Sequence, residues 1–173
     1  EQQTITLYGS DPEGDTITYS LDSLPSHGSA VLNGTTVTYA PEGDYNGLDS
    51  FTFTVSDGVA TSSAATVSIT VSSVNDAPTA TAQSVSGDED ASQSITLSGS
   101  DVEGSSLTYA LASDPSNGSV SLSGNTATYT PTANYNGSDS FTFTVSDGVA
   151  TSSAATVSIT VSSVNDAPTA TAQ

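Results

Sequence analysis

Apolar side chains alternate with Thr and Ser along much of the chain. Phe141, Phe143 and Val145 alternate with Thr142, Thr144 and Ser146, and Val157, Ile159 and Val161 alternate with Ser158, Thr160 and Ser162. Ile95/Leu97, Leu107/Tyr109/Leu111 and Val37/Tyr39 keep the same spacing. A period of two sends successive side chains to opposite faces of an extended chain, so each run predicts a strand with one wet and one buried face. Turn formers separate the runs: Asn33-Gly34, Gly124-Asn125, Asn136-Gly137 and Asp147-Gly148. No segment carries a capped 3.6-residue period.

The pattern repeats. Asp49 to Gln83 recurs unchanged as Asp139 to Gln173, an offset of 90 residues. The same offset maps Asp11-Pro12-Glu13-Gly14 onto Asp101-Val102-Glu103-Gly104 and Tyr45-Asn46-Gly47 onto Tyr135-Asn136-Gly137. About seven short strands per ~90 residues predicts an all-β fold of two tandem seven-stranded antiparallel β-sandwiches, cadherin-like or Ig-like. In the second unit the strands are expected near 79–86, 94–100, 107–113, 118–122, 125–130, 139–146 and 153–163. The boundary is expected at Val74-Asn75-Asp76-Ala77-Pro78, where Pro78 lacks an N–H and ends sheet pairing. Residues 1–78 then form a first repeat lacking its first strand, 79–168 a complete second repeat, and 169–173 the opening of a third. Glu1 is neither Met nor the start of a leader, which reads as an excerpt from a longer array.

Composition narrows the function. The 173 residues include no Lys or Arg and 19 acids, a formal charge of −19, with no Cys, Met or Trp. Without cations the chain cannot read a phosphate backbone, so no nucleic-acid partner is expected. Without Cys it is neither a disulfide scaffold nor a thiolate metal site, and the missing Cys and Trp exclude an antibody-type core. No apolar stretch approaches the ~20 residues of a transmembrane segment. Large apolar residues are scarce and Ser plus Thr make up about a third of the chain, a composition that alone would permit disorder. The strict alternation decides for folding.

The acids avoid outward strand positions and gather in turns and at the linker. In a sandwich the loops collect at two ends. Asp101 and Glu103 follow the second strand and Asp147 follows the Phe-rich strand, so both loops are expected beside Asn75 and Asp76. Asp49, entering the Phe-rich strand of the first unit, is expected to face the same junction. Five carboxylates in one cleft repel at roughly 3 kcal/mol per pair at ~5 Å and an effective dielectric of 20. Such a cluster calls for a hard cation. An all-oxygen donor set without Cys or His points to Ca²⁺, one or two ions per junction.

Other readings are weaker. Asp11, Glu13, Asp15 and Asp22 fall at positions 1, 3, 5 and 12 of an EF-hand loop, but the Gly of position 6 is missing. His27 lies in a Pro-Ser-His-Gly turn and reads as a surface residue. Glu13 with Asp15, or Asp88 to Asp90, lack the aromatic platform of a glycosidase, and no enzyme is expected. Tyr8, Tyr45 and Tyr135 are the aromatics available to an alternative function, binding of carbohydrate or of a second copy.

Asp49-Ser-Phe-Thr-Phe-Thr-Val-Ser-Asp-Gly58 and Val-Asn-Asp-Ala-Pro78, with the acidic loop after the second strand, resemble cadherin repeats. They are closer still to the cadherin-like or Ig-like tandem repeats of bacterial RTX-type adhesins, and the resemblance covers essentially the whole chain. It implies a secreted or cell-surface extender of an adhesin, rigidified by Ca²⁺ at inter-repeat junctions, with neighbouring repeats as partners. By position it implies Asp49, Asn75, Asp76, Asp101, Glu103 and Asp147 as ligands of the complete junction. Asp88, Glu89, Asp90, Asp139, Asn165 and Asp166 form a half-site for the next repeat, and Asp11, Glu13 and Asp57 one for the preceding repeat.

Overall fold

A computed structural model describes residues 1–170, so most of the segment expected to open a third repeat, residues 171–173, lies outside the described residues. The chain divides into two compact units, Glu1–Val74 and a second from Asn75 onward. The division falls four residues before the expected end of the first repeat at residue 78. Asn75 and Asp76 hydrogen-bond into the second unit, which accounts for the difference. All described elements are strands, and among the described residues no helix is long and apolar enough to cross a membrane.

The first unit contains β1 (Gln3–Thr6), β2 (Thr18–Ser23), β3 (Gly28–Asn33), β4 (Thr36–Pro41), β5 (Gly47–Ser56) and β6 (Ala65–Val71). They form two antiparallel three-stranded sheets, β1-β4-β3 and β2-β5-β6. Alternation does what the sequence requires. Val37 and Tyr39 of β4 and Phe51 and Phe53 of β5 turn inward with Leu7 and Ile69, while the intervening Thr and Ser face out. β3 and β4 join through the two-residue loop Gly34-Thr35, with Asn33 paired to Thr36. Positive φ is confined to Gly34, at 60°, the pattern of a type II′ turn.

The second unit contains β7 (Thr79–Ala80), β8 (Gln83–Asp88), β9 (Gln93–Thr96), β10 (Gly99–Ser100), β11 (Thr108–Ser113), β12 (Gly118–Ser123), β13 (Thr126–Pro131), β14 (Gly137–Ser146) and β15 (Ala155–Ser162). Its sheets are β12-β13-β9, β11-β14-β15-β8 and the small pair β10-β7. The core gathers Leu97, Tyr129, Phe141, Phe143, Val145, Val157 and Ile159, all at most 1% exposed.

Two details depart from the expected antiparallel sandwich. The first strand, expected to run unbroken over 79–86, divides at Thr81-Ala82: β7 pairs with β10 and β8 pairs with β15. The β8–β15 pair is parallel, in register from Gln83↔Val157 to Ser162↔Asp88. A period of two fixes which side chains point inward but says nothing about the direction of the neighbouring strand, and the long chain path between β8 and β15 makes the parallel arrangement available. β8 also passes close to the opposite layer. A Cβ built on Gly87 would meet the amide end of the Gln93 side chain, which would have to swing aside to admit it.

Candidate metal centre

Three segments of the second unit meet at its head. The loop after β10 is an Asx-type turn: Asp101 Oδ1 accepts the Ser105 N–H at 2.9 Å, and the Gly104 N–H donates to the Asp101 carbonyl at 3.2 Å. The loop after β14 is built the same way, with Asp147 Oδ1 accepting the Val149 and Ala150 N–H groups at 2.7 and 2.6 Å. The segment preceding β7 closes on both. Asn75 Nδ2 donates to Asp147 Oδ2 at 2.8 Å, and the Asp76 N–H donates to Glu103 Oε2 at 3.2 Å. The Ala150 N–H, then Asn75, then the Val149 N–H hold the Asp147 carboxyl below the usual carboxylate range.

Asp101 Oδ2 is buried and has no hydrogen-bond partner. A carboxylate oxygen withdrawn from water without a donor is costly, and a cation is one way to satisfy it. Its counterpart Asp11 accepts the Glu13 and Asp15 N–H groups through Oδ1 at 2.9 and 3.1 Å and leaves no buried orphan oxygen. The neighbouring loops and linker carry further oxygen donors in Asn75, Asp76, Glu103 and Asp147, a chemistry suited to a hard divalent ion. Among the described residues no three His, Asp or Glu side chains already converge as a metal cluster. An ion at Asp101 would therefore have to draw in Asp76 and Glu103, both exposed, with Glu103 already accepting the Asp76 N–H.

Asp49 and Asp139, expected among the metal ligands, are engaged elsewhere. Asp139 is 9% exposed and its two oxygens accept four donors: the Ser116 and Ser140 N–H groups on Oδ1, and the Asn117 N–H and Tyr129 hydroxyl on Oδ2, each at 2.9 Å. Asp49 repeats this cage with Ser26, Ser50, His27 and Tyr39 at 2.9 to 3.1 Å. Burial alone would raise both carboxyl pKa values, but the converging donors outweigh it and hold both below normal. Burial, reinforced by the Asp49 hydrogen bond, pushes the Tyr39 hydroxyl up to about 12. The signal was present in the sequence. Asp49 and Asp139 stand in phase with the inward Phe51/Phe53 and Phe141/Phe143, which places them on the core face.

The remaining acids divide. At the other end of the second unit Glu89 is buried; its Oε1 accepts the Val164 N–H at 2.8 Å and its Oε2 faces Asn136 Nδ2 at 3.4 Å. Asp90 accepts the Asn134 N–H at 3.0 Å, while Asp88, Asn165 and Asp166 are exposed. In the first unit Asp57 closes its turn on the Val59 and Ala60 N–H groups, both at 2.7 Å, and Glu13 is exposed. The aromatics considered for sugar binding are largely engaged. The Tyr45 and Tyr135 hydroxyls donate to the Leu48 and Ser138 carbonyls at 2.7 Å, and the Tyr45 ring stacks on His27 at 4.1 Å. Tyr8 is 83% exposed.

Comparison with known proteins agrees with this architecture. No curated protein matches the chain. Among solved structures, human mucin-like protocadherin EC1-2 aligns with TM-score 0.54 at 18% identity, covering 92% of this chain and 93% of that one. The protocadherin gamma B2 extracellular cadherin domains 1-5 align with TM-score 0.56 at 16% identity, covering 95% of this chain and 40% of that one. At such identities the likeness shows a cadherin-like fold. An endo-fucoidan hydrolase of glycoside hydrolase family 107 aligns at 26% identity with TM-score 0.44; the match covers 95% of this chain but only 26% of that enzyme. The bacterial Ig domain family matches residues 1–70 and 75–160, nearly the whole of both units. The chain belongs to the bacterial Ig domain family, with two domains in tandem.

Proposed function

We propose that the chain is a non-catalytic, calcium-dependent extender segment of a secreted or cell-surface adhesin. Ca²⁺ binds at the head of the second unit through Asp101, with Asn75, Asp76, Glu103 and Asp147 completing the oxygen set. The observation that carries this reading is the buried Asp101 Oδ2, which has no partner and lies on a loop that the linker already touches through Glu103. The ion supplies positive charge to a chain that has no Lys or Arg. Binding fastens the linker to the unit that follows it, so a tandem array stiffens as calcium rises. Asp11, Glu13 and Asp57 offer the same loops to a preceding linker. Asp88, Asp90, Asn165 and Asp166 lie at the end that meets a following repeat.

Extracellular calcium modules bind with Kd of about 10⁻⁴ to 10⁻³ M. An ion held only by the folded state contributes RT ln(1 + [L]/Kd), roughly 1.4 kcal/mol at ten times Kd. The gain is modest at one site and recurs at every joint of an array. Calorimetric titration with Ca²⁺ tests the reading: wild type binds, and Asp101→Asn loses at least tenfold in affinity. Absence of both heat and a thermal shift in wild type would reduce the chain to an acidic spacer. Small-angle scattering adds a second readout, since the maximum dimension is expected to grow with calcium in wild type and not in Asp101→Asn.

A further inference from the structure

We infer that the open side of the first unit, where β1 and β6 are the outer strands of the two sheets, is a strand-acceptor site. It takes an extended segment patterned like Gln83–Asp88, valine turned inward and serine outward, laid parallel to β6. The acceptor occurs twice in this chain. Ala65–Val71 of β6 and Ala155–Val161 of β15 have the same sequence, and β15 carries β8 on its outer edge as a parallel ladder from Gln83↔Val157 to Asp88↔Ser162. In the first unit β6 pairs with β5 alone, and among the described residues no strand of that unit corresponds to β8.

The uncovered residues mark where the segment belongs. Val157 and Val161 are 0% and 3% exposed, whereas their counterparts Val67 and Val71 are only half-buried. Across the gap Ile95 is buried and Gln93 is half-buried against Gly87 of β8, while on β1 Ile5 is half-buried and Gln3 exposed. One strand laid between the layers would cover all four. The edge also lacks the usual guards. Ala-Thr-Val-Ser-Ile-Thr-Val has no charge and no proline, and an unpaired edge offers a row of N–H and C=O groups to any extended chain. β8 supplies what β6 lacks, because it ends in Asp88 and runs on into Glu89 and Asp90, closing the new edge with acids. In such an addition backbone pairing gives the affinity and the alternating side chains give the selectivity. A second copy of this chain is the lesser fit, since its β8 is already held by its own β15. The fitting source is the leading strand of a repeat of this type, free of its own acceptor.

Two probes test this on the full chain: a synthetic peptide of the sequence Thr79–Asp90, and the same segment fused directly ahead of Glu1, the spacing it has ahead of Ala91. Amide exchange is read by residue-resolved NMR, because β6 and β15 share a sequence and yield indistinguishable fragments. Excess EGTA keeps the outcome separate from that of the calcium site. Alternate amides among Val67–Ser72 should slow at least tenfold in the fused chain and with excess peptide, while Val157–Ser162 stay within twofold of their own rates. Val85→Asp in either probe, at an inward position, should abolish the protection, and Ser84→Asp, outward, should keep it. Protection by the fused strand alone would support the site and restrict it to tethered donors. Unchanged exchange at Val67–Ser72 in the fused chain would overturn the inference, as would equal protection by the Val85→Asp probe. So would protection that rises with protein concentration and is not displaced by peptide, the result of β6 pairing with a second copy.

Discussion

Asp139→Asn isolates the contribution of a caged carboxylate with almost no change of shape. In the wild-type protein Oδ1 serves two backbone donors and Oδ2 serves the Asn117 N–H and the Tyr129 hydroxyl. With an amide nitrogen in place of Oδ2, the tyrosine hydroxyl can rotate to accept, but the Asn117 N–H then faces another donor. One buried donor is orphaned at about 1–3 kcal/mol, and the surviving bonds fall from charged to neutral strength. Neutral Asn is cheaper to bury, so the net loss at pH 7 is about 2–4 kcal/mol, confined to the second unit. The pH dependence has a defined sign. The folded carboxyl is held below its unfolded value, so its contribution is complete above about pH 4 and fades as pH falls through the folded pKa. Asn does not titrate in this range. The gap between wild type and variant should therefore narrow progressively below about pH 4. Urea unfolding read by peptide-resolved hydrogen exchange at steps from pH 7 to pH 2.5 separates the two units. A gap under about 0.5 kcal/mol at pH 7, or one that does not change on acidification, would refute the account of the cage.

Three further outcomes are expected. Gly118→Ala places a Cβ 2.5 Å from the Thr130 carbonyl oxygen, which the sheet cannot move, whereas Gly124→Ala meets open space but must hold φ near 60°. In thermal melts the first should cost about 3 kcal/mol or more and the second about 1–2. Val157→Ala should cost about 2–3 kcal/mol in urea and Val67→Ala measurably less, since Val157 is fully buried and Val67, in the same local sequence, is only half-buried. Calcium at ten times Kd should raise the melting temperature of the second unit by roughly 6–11 °C, an effect absent in Asp101→Asn.

Much of the architecture could be read from alternation. Phe141, Phe143 and Val145 fixed the inward face of β14, and the glycine turns fixed where the chain reverses. Two kinds of feature escaped. The break at Thr81-Ala82 and the parallel partner of β8 depend on which neighbour lies alongside, which a residue's own spacing does not encode. The placement of Asp49 and Asp139 was misjudged for a different reason. Counting acids and loop ends treated every carboxylate as exposed, while the period-two phase they share with Phe51 and Phe141 already turned them inward. Asn75 meets Asp147 and the Asp76 N–H meets Glu103 because the loops following β10 and β14 emerge beside the segment that enters β7.

The parallel ladder between β8 and β15 has a mechanical consequence. These strands lie near the two ends of the unit in sequence, side by side over six residue pairs, so tension pulls the start of β8 one way and the end of β15 the other. The load then runs along the strands and strains the rungs together in shear, instead of opening them one after another like a zipper. A segment built to bear traction would resist extension at that ladder before any of the hairpins behind it felt the pull.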